Sequence, residues 1–78
     1  MASVPFQNVA HGTPEALREF IHEALGLAII QAEIGMRYAE TGDDRGLEYS
    51  YRRHVAYLRA VAGALRDLRA PKLQRGAS

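Results

Sequence analysis

Residues 41–46 read TGDDRG, and this stretch decides the fold. On either side of it, apolar residues return every three or four positions, the period of an α-helix. The stretch itself breaks that period. Gly42 suits the left-handed conformation that closes a helix C-terminus, where a Cβ is disfavoured. Asp43 or Asp44 offers a carboxylate to the exposed N–H groups of a following helix. A break this short turns the second helix back along the first.

Upstream, HGTPEALREF over residues 11–20 is a helix start. Thr13 is the expected N-cap and Pro14 takes the first helical position. Glu15 and Glu19 sit near the positive end of the helix dipole. Downstream, Pro71 ends the second helix, because the residue before a proline is biased away from helix. The expected organisation is an N-terminal tail over 1–12, a helical hairpin over 13–71 and a disordered C-terminal tail over 72–78. Within the hairpin, helices over 13–41 and 44–70 flank a turn at 42–44. The fold class is all-α, a two-helix antiparallel hairpin.

The apolar spacing gives each helix a heptad seam. In the first helix it runs Leu17, Ile21, Ala24, Ala28, Gln31, Gly35 and Tyr38. In the second it runs Leu47, Tyr51, His54, Leu58, Val61, Leu65 and Leu68. Apolar residues also flank both seams, and Ile29, Ile30 and Met36 reach further round the first helix. One facing helix cannot cover stripes this wide. Two hairpins paired by a two-fold axis can, so a homodimeric four-helix bundle is expected.

With the turn near residue 42, facing residues have numbers that sum to about 85. That register sets Gln31 opposite His54, and Gly35 opposite Ser50. Gln31, His54, Ser50 and Tyr51 are therefore expected to form a buried polar layer. In it Gln31 and His54 satisfy each other and fix the register.

Composition narrows the function. Seventy-eight residues make one small domain, whose core is marginal without a staple or a partner. There is no cysteine, which removes disulfides and thiolate metal sites. The start MASVPFQNVA lacks the basic residues and apolar run of a secretory signal. The apolar stretch from Ala24 to Ile30 is too short to span a bilayer. A cytoplasmic protein without membrane contact is expected.

Charge is segregated. Residues 1–44 carry seven acids and two bases, net −5, and residues 45–78 carry eight bases and two acids, net +6. Arg45, Arg52, Arg59 and Arg66 recur every seven residues, with Arg53 beside them. Such a stripe is a candidate surface for nucleic acid or for an acidic partner. Glu19, Glu33 and Glu40 form a matching acidic stripe, and the same sum of 85 pairs them with Arg66, Arg52 and Arg45. Both stripes point away from the hairpin seam, so they are expected to be solvated or to meet across subunits and not to pair within one hairpin.

Catalytic signals are weak. Glu19 and His22 have the Glu-x-x-His spacing of di-iron bundle helices, but both fall on the polar face. No nucleophile constellation, phosphate loop or dinucleotide fingerprint is present. The expected function is a small non-catalytic interaction or regulatory protein, requiring no cofactor, that docks on a larger protein through Ile29, Ile30 and Met36. The alternative is a nucleic-acid-binding regulator that uses the arginine stripe. A third reading is a metal- or ligand-binding bundle using Glu19, His22 or His54.

Overall fold

The computed structural model describes residues 12–70. It contains two helices, α1 over Pro14–Thr41 and α2 over Asp44–Arg69, packed side by side as an antiparallel hairpin. The expected tails over 1–12 and 72–78 lie outside the described residues, apart from Gly12.

The caps explain the boundaries. Thr13 has extended backbone, and its Oγ1 accepts from the Ala16 N–H at 3.2 Å. Pro14 follows at a position where no donor is missed. At the other end Gly42 adopts φ 77°, ψ 21°. The Asp43 N–H donates to the Tyr38 carbonyl at 2.9 Å, and the Gly42 N–H to the Ala39 carbonyl at 3.3 Å. These are the two bonds of a Schellman closure. Asp43 then starts α2: its Oδ1 accepts from the Gly46 N–H at 3.0 Å. One residue thus ends one helix and caps the next. The connection consists of Gly42 and Asp43, and no slack remains for any packing but the hairpin.

The core between the helices is built from small side chains. Ala24, Ala28 and Gly35 of α1 are buried against Ser50, Val61 and Ala64 of α2. A Cβ built on Gly35 would lie 3.5 Å from the Ser50 Cβ, so the two backbones approach closely there. Near the turn, Tyr38 lies flat over Gly46, where a Cβ would meet the ring at 2.5 Å. Both contacts keep the expected register, with residue numbers summing to about 85.

The seam of α1 lies where the spacing predicts. The seam of α2 does not. Tyr51, Leu58 and Leu65 were expected inward, yet they are 63%, 40% and 39% exposed. Ser50, Tyr57 and Ala64 take their place beside His54 and Val61. Exchanging one column of the seam for its neighbour turns the helix by about 50°. The cause is steric. Small residues on both helices let the backbones close on one another. A column of Tyr and Leu at the same place would hold them apart.

Candidate interaction surfaces

The polar layer is built differently from the expected pair. His54 Nδ1 donates to the Ala28 carbonyl at 2.8 Å, across the seam. A carbonyl only accepts, so this contact places the proton on Nδ1. Ala28 can serve because its side chain is small and its carbonyl keeps a second lone pair beside the helix bond. Gln31 and His54 are half-buried, and Ser50 is 1% exposed with no hydrogen-bond partner for its Oγ. Tyr51 leaves the layer, carried outward by the rotation of α2.

That rotation creates a surface. Gln31, Gly35 and Met36 of α1 line a groove of about 250 Å³ together with Leu47, Ser50 and Tyr51 of α2. The heptad repeats carry its walls along the hairpin. Leu25 and Ile29 lie seven residues before Ala32 and Met36, and Leu58 and Leu65 follow Tyr51 at the same interval. Leu25, Ile29, Met36, Leu47, Tyr51, Leu58 and Leu65 are each 36–63% exposed. Between Leu25 and Ala39 on α1, and between Tyr51 and Leu65 on α2, these columns contain no charged residue. An exposed apolar face of this kind is a candidate contact surface.

The opposite face is mixed. Ile30 and Ile34 of α1 are exposed there. The three residues expected to bind a partner are therefore split, with Ile29 and Met36 on the apolar face and Ile30 on the other. On α2, the Arg53 guanidinium lies 5.7 Å from the ring centroids of both Tyr49 and Tyr57 and donates to the Tyr57 hydroxyl at 2.9 Å. This sandwich takes Arg53 out of the arginine stripe.

Arg45, Arg52, Arg59 and Arg66 form the outer ridge of α2 and are all exposed. Arg52 Nη2 meets Glu48 Oε2 at 2.6 Å. Both side chains are largely in water, so this pair contributes no more than about 0.3–0.5 kcal/mol. Arg52 and Arg59 border a groove with Tyr51 and Val55, which places the ridge at the edge of the apolar face. On α1, Glu33 and Glu40 follow Ile29 and Met36 by one turn and edge the same face from the other side.

Glu19 and His22 are exposed. Among the described residues no group of three or more His, Cys, Asp or Glu side chains is placed to hold a metal. Among them, too, no helix is long and apolar enough to cross a membrane. Compared with protein-family models, curated proteins and solved structures, the chain matches none.

Sequence reasoning placed Ser50 inward, opposite Gly35, and missed that Tyr57 and Ala64 share its column. Its signal was size. Ser50 and Ala64 are small, and Ser50 meets Gly35 where the two helices approach.

Proposed function

We propose that the chain is a small, non-catalytic interaction protein. It associates through the apolar face of the hairpin as a homodimeric four-helix bundle, and it docks on a larger protein through the surface left outside. The observation that supports this is the division of side chains. Small residues close the hairpin seam, and bulky apolar ones are left on a face that carries no charge between Leu25 and Ala39 of α1 or between Tyr51 and Leu65 of α2. A Leu or Ile gains about 1.5–3 kcal/mol when fully buried, so a face holding seven half-exposed large side chains has much to gain from cover. The grooves fit the same reading. They hold about 230–300 Å³ each, at or below the small end of ligand pockets.

For the larger partner, Ile30 and Ile34 beside the Tyr49–Arg53–Tyr57 sandwich supply an apolar, aromatic and arginine-bearing patch. That is the composition of interface centres.

Nucleic-acid binding through the arginine ridge is the second reading. Arg45, Arg52 and the exposed Tyr49 line one shallow groove, which puts a stacking ring beside two cations. The Glu48 carboxylate lines the same groove and opposes phosphate there.

Size exclusion with light scattering, read at 260 and 280 nm, tests both. The expected result is a dimer of the 8.6 kDa chain with a protein-like absorbance ratio. A monomer at all concentrations refutes the bundle. A high 260 nm reading that salt removes puts the nucleic-acid reading in place of the docking one. A partner retained equally by wild type and by Ile30→Asp/Ile34→Asp refutes the assignment of the outer patch.

A further inference from the structure

Two stripes of charge border the apolar face, one on each helix, and their signs differ. Glu33 and Glu40 edge it along α1, while Arg45 and Arg52 edge it along α2. Each glutamate stands at the level of one arginine. The contacts between Gly35 and Ser50, Tyr38 and Gly46, and Ala28 and His54 set those levels. By the same register Glu33 is level with Arg52, and Glu40 with Arg45. Within one hairpin the stripes lie on far edges and cannot touch. We propose that the apolar face is covered by a second copy of the chain, with the two-fold axis running along the helices. In that arrangement α1 lies on the partner's α2 and both turns sit at the same end.

Symmetry carries the argument. Two copies of one face can be stacked with the axis along the helices or across them. An axis across the helices lays α1 on the partner's α1, so that Glu meets Glu and Arg meets Arg. An axis along the helices lays α1 on α2 and leaves every residue at its own level. The acidic edge then meets the basic edge, with Glu33 and Glu40 opposite the cations that match them in height. Neighbouring helices run antiparallel under either axis, so the charged edges decide between them. The Arg52–Glu48 contact is exposed and weak, and it exchanges for Glu33 of the second copy. Opposite-charge edges around an apolar centre fix register and exclude the like-charge alternative.

This inference rests on the bundle reading, and the test separates the two. The chain lacks cysteine, so Asp44→Cys accepts a single spin label beside the turn. Pulsed electron–electron distance measurement on the dimer is expected to give about 20 Å or less, the width of a bundle. A distance of about 40 Å, one helix length, overturns the arrangement and leaves the dimer standing. Charge reversal supplies the second arm. Glu33→Arg/Glu40→Arg and Arg45→Glu/Arg52→Glu are each expected to raise the dimer dissociation constant on the order of 30-fold. Combining the four changes is expected to restore it. A combined variant that stays dissociated overturns the pairing, and a wild-type monomer overturns the bundle and the pairing together.

Discussion

Replacing Ser50 with alanine is expected to stabilise the protein, although the change removes a buried atom from the seam. Ser50 is 1% exposed and its Oγ has no partner. A hydroxyl taken out of water without a partner costs about 1–3 kcal/mol. Alanine removes that cost and adds about 0.5 kcal/mol of helix propensity. Against this stands the gap left by one oxygen, smaller than a methyl group and worth less than about 1 kcal/mol. The balance is about 1–2 kcal/mol in favour of alanine. For a domain of this size that raises Tm by roughly 5–10 °C. Thermal and urea melts followed by circular dichroism measure it, at one fixed protein concentration because association shifts the midpoint. A loss of more than about 0.5 kcal/mol refutes the reasoning. It would show that the hydroxyl makes a bond worth more than its burial costs, such as one to the carbonyl a turn back. Ser50→Leu is the control. The Gly35 backbone lies too close for three more carbons, and overpacking there costs about 1–3 kcal/mol.

Two glycines of the helices are expected to respond to alanine with opposite signs. Gly26 faces open space, so Gly26→Ala stabilises by about 0.5–1 kcal/mol. Gly46 lies under the Tyr38 ring, where even Cγ comes within 2.7 Å of a new Cβ, so the ring cannot clear it by spinning. Overpacking of about 1–3 kcal/mol exceeds the propensity gain of about 1, and Gly46→Ala destabilises. Denaturant melts of the two variants check the signs, and equal signs refute the ring contact. His54→Leu is expected to stay within about 1 kcal/mol of wild type, because the Ala28 carbonyl keeps its helix bond and leucine fills the space with apolar surface. A loss above about 3 kcal/mol in the same melts would show that the imidazole bond organises the seam.

The helix ends and the turn could be read from single residues because capping is local chemistry. Thr13, Pro14, Gly42 and Asp43 do their work within five positions of themselves. The register followed from the turn, since two linking residues leave one way to fold back. The rotation of α2 could not be read from periodicity. The columns Tyr51, Leu58, Leu65 and Ser50, Tyr57, Ala64 share one spacing and lie one residue apart. Hydropathy favours the first for burial and size favours the second. A hairpin alone chooses by how near its backbones can come, and Gly35 with Ala28 rewards small partners. The partner of His54 was hidden for the same reason. Close approach brings a main-chain carbonyl into reach, and no side-chain pattern announces that.

The same rotation bears on what the arginine ridge can do. With Tyr51 and Leu58 turned outward, Arg52 and Arg59 stand at the rim of an apolar face instead of at the centre of a polar one. A rim arginine that faces a glutamate of a second copy is partly neutralised and is not available to phosphate. The two uses of the ridge therefore compete, and salt distinguishes them. Rim pairs weaken modestly as ions screen them, because burial of the apolar centre carries the association. Phosphate contacts release a counterion each, and affinity falls as a power of salt concentration. In the proposed dimer the acidic edge at matching height favours the first use. A ridge meant for nucleic acid would gain nothing from glutamates spaced to meet it, and near phosphate they would repel.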